Sequence, residues 1–131
     1  MTDFSRGIAL FERLFGPALG AEMVRSAMAG PETFKEVVWS KIGPDVWERE
    51  ILDMRSKLIS MLAMFAVLGR EVQMKYFVRA SLIHGITRAE IEEILLLAGL
   101  EAGMPRAADA FGWVAAAIAD HDAFLTTKAA A

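Results

Sequence analysis

The stretch from Glu71 to Ile83 carries the residues of this chain that are best suited to anion binding and proton transfer. Arg79 follows Tyr76 by three residues and Lys75 by four, and residues at these spacings are neighbours on a helix surface. A guanidinium at this position could hold a carboxylate through two parallel hydrogen bonds, and the Tyr76 hydroxyl could donate a proton. The alternative for Arg79 is a structural ion pair with a glutamate of the next helix.

Three further residues are candidates, and each has a structural alternative. Glu101 interrupts an apolar run, where burial would suit it to general acid or base catalysis; otherwise it belongs to a solvated acidic stripe with Glu90 and Glu93. His84 precedes a glycine at a predicted helix end, where an imidazolium interacts well with free carbonyl groups; catalysis is the alternative. Trp47 either lines a pocket or plugs the end of the helical bundle.

Composition excludes several classes of protein. The 131 residues suit one domain, spanning 1–131, and 55% of them are hydrophobic, which is far from the composition of a disordered chain. So much apolar surface on a small chain also predicts a partner subunit. The net charge of -3 and the scattered basic residues argue against a nucleic-acid partner, which needs clustered Lys and Arg.

Cysteine usage and hydropathy narrow the chemistry and the location. The chain has no cysteine and two histidines, which excludes disulfides and thiolate nucleophiles and makes a metal site within one chain improbable. The N-terminal stretch carries charges that a signal peptide lacks, and the longest uncharged run, residues 58–69, is shorter than the ~20 residues that span a bilayer. We therefore expect a cytoplasmic protein without a membrane segment, metal or cofactor.

The boundary signals along the chain are those of helices. Glycine, proline and capping residues predict six or seven helices in an all-α bundle with a central antiparallel pair. Thr87 and Glu90 form a predicted capping box, and the helix that contains Leu58 should be the most buried. Asp53 is the predicted cap of the helix that contains Leu58, residues 43–52 are predicted to be irregular, and the chain after residue 120 is predicted to be a frayed tail. The predicted helices are 3–15, 17–28, 31–42, 54–68, 71–83, 88–102 and 105–120.

Several short motifs, in this order and spacing, resemble the carboxymuconolactone decarboxylase family. The resemblance extends over nearly the whole chain. It is carried by Asp45-Val46-Trp47, Leu68-Gly69-Arg70, Arg79-Ala80 with Leu82, the cap from Gly85 to Ile91, and Ala102-Gly103 with Pro105 and Ala107. The family implies a compact all-α fold, assembly into homotrimers or homohexamers, and one of two chemistries: decarboxylation of a carboxylated lactone, or a thiol peroxidase relay.

Matching the family pattern onto this chain shows which reactive groups are absent. The relay glutamate, two cysteines and histidine of the peroxidase type would fall at Leu58, Arg70, Gln73 and Phe77, so peroxidase activity is excluded. The decarboxylases usually carry histidines at the positions of Phe77 and Leu97, which are apolar here.

Two hypotheses about function follow. In the first, the protein is a cofactor-independent lyase, isomerase or hydratase that acts on a small carboxylate or lactone in aromatic-compound catabolism. Arg79 would anchor the substrate carboxylate. The other substrate-binding residues would be Trp47, Phe77 and Arg70, and the groups that move protons would be Tyr76, Glu101 or His84. In the second, the protein is a catalytically silent oligomeric relative that binds a small hydrophobic acid or supports a partner enzyme.

Overall fold

The computed structural model describes residues 3–130. These residues form α-helices and one π-helical segment, without any strand among them, which confirms the predicted all-α fold. The chain divides into two compact units, of which one ends at Leu52 and the other begins at Asp53. That the chain forms a single domain stays a prediction.

The first unit is built from short helices that follow one long one. Its elements are α1 (Ser5–Met28), α2 (Glu32–Phe34), the π-helical segment (Lys35–Ile42) and α3 (Gly43–Trp47). Helix α1 bends at Gly16, where φ is 76°, so the two helices predicted on either side of this glycine are joined across a kink. Trp39 is buried, with its ring centroid 4.9 Å from that of Phe11.

The predicted helix stop at Gly43 and Pro44 is wrong. Gly43 has right-handed helical angles and its N–H donates to the Val38 carbonyl, so the backbone continues directly from the π-helical segment. Pro44 is the second residue of α3 and is buried. The irregular stretch therefore begins only after Trp47.

The second unit is a set of four helices whose boundaries largely follow the sequence signals. They are α4 (Met54–Leu68), α5 (Glu71–Ile83), α6 (Arg88–Ala102) and α7 (Met104–Ala130). The Asp53 carboxylate accepts a hydrogen bond of 2.7 Å from the Ser56 N–H, and Thr87 and Glu90 form the reciprocal capping box. Both caps are as predicted, because they depend on residues within one helical turn.

The core of the second unit lies where α4, α5, α6 and α7 contact one another. Leu58, Leu62, Met74 and Leu95 are fully buried, and each such side chain contributes about 1.5–3 kcal/mol of burial free energy. The prediction that α4 is the most buried element is wrong, since three of its fifteen residues are buried, whereas α6 has the same length and five buried residues. The buried residues of α4 recur every four positions along one stripe, and apolar residues off that stripe, Met64, Val67 and Leu68, are exposed.

The chain after residue 120 is helical, contrary to the predicted frayed tail. Helix α7 continues to Ala130. His121 is only 6% exposed, and Phe124 is half-buried. This part of α7 still packs on α5, and the tertiary contact keeps helical a segment that local signals would leave frayed.

Candidate functional site

A cavity of about 230 Å³ lies between α5 and α7, on the face of α5 that the sequence singled out. The residues from α5 recur every three or four positions, as a single helix face requires. Its lining is Glu71, Val72, Lys75, Tyr76, Arg79, Ala117 and Asp120. Arg79 and Tyr76 thus share a cavity with further ionisable side chains.

The cavity lining carries two acidic and two basic side chains, which differ in their exposure to water and in their ion pairing. The Lys75 ammonium lies 3.8 Å from a Glu71 carboxylate oxygen, so these two charges largely offset each other. Asp120 is exposed, and water weakens its interactions. The Arg79 side chain is half-buried, where attraction for an anion is stronger than at the surface.

Arg79 is held at one edge, and one of its other donors lacks a partner. Its Nε donates to Nδ1 of His121 at 3.4 Å, and its Cζ lies 5.2 Å from the centre of the Phe124 ring. Its Nη2 is buried and has no hydrogen-bond partner among the described residues. The expected structural alternative, an ion pair with a glutamate of the next helix, is not the arrangement found. A buried N–H without an acceptor is costly, so it calls for a ligand or a water.

His121 is the partner that sequence reasoning missed. Burial lowers the pKa of its imidazole below the usual 6.5, and the Arg79 charge lowers it further, while Asp122 opposes the shift. His121 is therefore neutral near pH 7 and able to accept a hydrogen bond. Ala117, His121 and Phe124 are spaced by four and three residues in the sequence. This spacing indicates a shared helix face only if the last helix extends past residue 120, which the sequence did not predict.

Two predicted binding residues, one on α5 and one just before it, lie away from this cavity. Phe77 packs its ring against Phe65, with centroids 5.3 Å apart. Arg70 is the exposed residue that precedes the first turn of α5. Neither belongs to the residues that line the cavity, so α5 presents Phe77 and Arg79 on different faces.

The remaining candidates are dispersed. His84 directly follows α5 and is half-buried, and its backbone N–H donates to the Ala80 carbonyl at 3.1 Å. This is the helix C-terminus that its structural alternative required. Glu101 is exposed near the end of α6, and Trp47 is the half-buried last residue of α3 in the first unit. Of the residues expected to move protons, Tyr76 alone lines the cavity.

The described residues include no cluster of three His, Asp or Glu side chains with the geometry to hold a metal ion. Within the same part of the chain, every helix is too short or too polar to cross a bilayer.

Comparison with known proteins places the chain in a family. The family model described as "Carboxymuconolactone decarboxylase family" matches residues 33–116, which is more than half of the chain. A 4-carboxymuconolactone decarboxylase of Acinetobacter baylyi is 33% identical over 61 residues, covering 47% of this chain and 46% of that protein. The match thus spans less than half the length of this relative. The extent of the family match establishes that the chain belongs to the carboxymuconolactone decarboxylase family.

Proposed function

We propose that this protein is a cofactor-independent lyase of the decarboxylase type, acting on a small anionic ring or lactone. The observation that carries the proposal is the common cavity that Arg79 and Tyr76 line together with Lys75. Membership of the carboxymuconolactone decarboxylase family supports the same reaction class. Isomerase or hydratase chemistry on the same substrate class would use the same groups.

Arg79 binds the carboxylate that the substrate keeps. A cation beside the carboxylate that is lost would stabilise the ground state more than the transition state and slow the reaction. The donors available are Nη1 and Nη2, since Nε is engaged by His121. Nη2 lies beneath the cavity surface, so the ligand reaches it once the side chains of the wall shift.

Tyr76 supplies the proton. Loss of CO₂ breaks a carbon–carbon bond, and the electron pair of that bond passes into the ring as an enolate stabilised by the lactone carbonyl. The Tyr76 hydroxyl then donates a proton to the ring carbon, which restores the neutral lactone. Tyr76 is 39% exposed, so water can return a proton to the phenolate.

The size of the cavity limits the substrate. At about 230 Å³, it falls below the range of roughly 300–1,000 Å³ typical of pockets for drug-sized ligands. A single five- or six-membered ring with one or two carboxylates is the appropriate class.

The silent-relative alternative is favoured by one observation. Leu58, at the position of the relay glutamate, is fully buried, and Phe77 packs on Phe65. The interior at these positions is therefore ordinary apolar packing. In this alternative the cavity beside Arg79 binds a small acid without turning it over.

The direct test is turnover of carboxymuconolactone and related carboxylated lactones by the purified protein, followed by NMR of the product and by CO₂ release. We expect turnover by the natural protein and a loss of about 10²–10⁴-fold in kcat for Tyr76→Phe, the range of a general acid. Arg88→Met is the control, because Arg88 is exposed on α6, outside the cavity lining, and pairs with Glu92 at 2.9 Å.

The two functions give different results in this test. Turnover that Tyr76→Phe abolishes and Arg88→Met leaves intact supports the lyase. Binding of a small carboxylate without any turnover supports the silent relative. Absence of both binding and turnover contradicts both.

We also propose that the protein assembles into homotrimers or homohexamers. Leu97 and Leu100 on α6 are 59% and 71% exposed, and adjacent exposed leucines on one helix favour a protein contact. Sedimentation should report three or six chains at micromolar concentration, and a strict monomer would contradict the proposal.

A further inference from the structure

His121 is the buried ionisable side chain of the second unit that the proposed function leaves without a role. It lies on α7, 42 residues from Arg79 in sequence, and its Nδ1 accepts the Arg79 Nε–H at 3.4 Å. Phe124, one helical turn further along α7, covers the guanidinium at 5.2 Å. Two side chains of α7 therefore hold the guanidinium, from its edge and from its face.

The hydrogen bond defines the state of the imidazole. A ring nitrogen that accepts carries no proton, so His121 is the neutral form with hydrogen on Nε2. An imidazolium has no acceptor to offer. Protonation of His121 and its hydrogen bond to Arg79 are therefore mutually exclusive.

We propose that His121 is the positioning residue of the carboxylate site, holding Arg79 through Nε and leaving Nη1 and Nη2 to bind the ligand once the wall side chains shift. This inference rests on the proposed function for the role of Arg79. A free arginine side chain samples many rotamers, and fixing it before binding removes an entropic cost from association. With Nε engaged, only the edge formed by Nη1 and Nη2 can bind a ligand, and this edge accommodates one carboxylate through two parallel hydrogen bonds.

The charges around His121 make this arrangement sensitive to pH. Arg79 on α5 opposes protonation, Asp122 on α7 itself favours it, and burial opposes it most. As pH falls through the lowered pKa of His121, the acceptor is lost and two cations come to lie side by side. Affinity for a carboxylate should therefore fall with pH, although an added positive charge would by simple attraction raise it.

Two substitutions separate positioning from packing. His121→Asn keeps an acceptor, because its side-chain oxygen can occupy the place of Nδ1, whereas His121→Leu fills the space without one. The probe is furan-2-carboxylate, a small ring that stays ionised in the range used, titrated between pH 5 and 8. We expect His121→Leu to weaken binding about tenfold, and His121→Asn to stay within about threefold of the natural protein.

The pH profile gives a second readout that a purely structural role would not change. The natural protein should lose affinity on acidification, and His121→Asn should show no such inflection. Equal affinities in all three proteins, or affinity that rises as pH falls, would overturn the positioning role while leaving the carboxylate site intact.

An NMR measurement on the free protein tests the geometry without any ligand. The Arg79 Nε–H should be protected from exchange at neutral pH and become labile as His121 titrates, and the His121 ¹⁵N shifts should report hydrogen on Nε2. An unprotected Nε–H at neutral pH overturns the inference. Failure of furan-2-carboxylate to bind, with this signature present, would count against the proposed function and leave the Arg79–His121 pairing standing.

Discussion

Replacing Arg79 by methionine should separate ligand binding from folding. The substitution removes the hydrogen bond to His121, which at 3.4 Å is long and contributes about 1 kcal/mol. It removes the contact with the Phe124 ring, worth about 0.5–1 kcal/mol, and leaves the buried His121 acceptor without a donor, which costs about 1 kcal/mol more.

The same substitution also removes a penalty. The buried Nη2 has no partner among the described residues, and an unsatisfied buried donor costs about 1–3 kcal/mol. The two sides partly offset each other, so the free energy of unfolding of Arg79→Met should fall by no more than about 2 kcal/mol. Removing one partner of a structural buried ion pair would instead cost about 3–5 kcal/mol.

Binding should respond quite differently. A hydrogen bond to a charged group contributes about 1.5–3 kcal/mol, so affinity for furan-2-carboxylate should fall by about 10- to 150-fold. Urea unfolding followed by circular dichroism gives the stability, and calorimetric titration gives the affinity. Arg88→Met is the matched control. It removes an exposed i,i+4 pair worth about 0.3–0.5 kcal/mol and should leave binding unchanged.

Either of two results would contradict an anion-binding role for Arg79. If Arg79→Met lost more than about 3 kcal/mol of stability, the side chain would be a structural element. If it bound furan-2-carboxylate as tightly as the natural protein, the cavity would not be an anion site.

Two further predictions concern stability. Burial lowers the pKa of His121 from its usual 6.5, so the unfolded chain binds a proton at this residue before the folded protein does as pH falls. The free energy of unfolding should therefore decline below pH 6.5 in the natural protein but not in His121→Asn. Urea unfolding midpoints from about pH 7.5 to 5.5 give the measurement. The carboxylates with lowered pKa, which are Asp3, Glu48, Asp53 and Glu90, affect stability in a separate window below the usual 3.8 of Asp and 4.5 of Glu. Gly69→Ala should cost about 1–2 kcal/mol, since φ is 72° and the added methyl would meet Arg106, whereas Gly112→Ala in α7, with open space around it, should gain about 0.5–1 kcal/mol. A destabilised Gly112→Ala would contradict the helical assignment there.

The locally capped helices were predictable from the sequence alone. The bounds of α4, α5 and α6 follow from the Asp53 cap, the Thr87–Glu90 box and the glycines at 69, 85 and 103. Each of these signals acts through hydrogen bonds within about one helical turn. The stripe of Lys75, Tyr76 and Arg79 follows from helical periodicity in the same way.

Local signals failed where the surroundings of a segment outweighed its own preferences. A glycine followed by a proline usually ends a helix, yet Gly43 and Pro44 are the first two residues of α3, which directly follows the π-helical segment. The segment after Asp120 has weak local signals, yet it stays helical while packed on α5. That contact also determines whether His121 is exposed or buried.

The sequence by itself determined the helical class, the family and the face of α5 that carries the ionisable groups. Only the tertiary structure decided which of those groups share a cavity, that Phe77 lies on another face, and that Arg79 pairs with a histidine 42 residues away. The physical reason is the range of the interactions. Helix formation depends on neighbours in sequence, whereas a binding site depends on which helices pack together and on how far each extends.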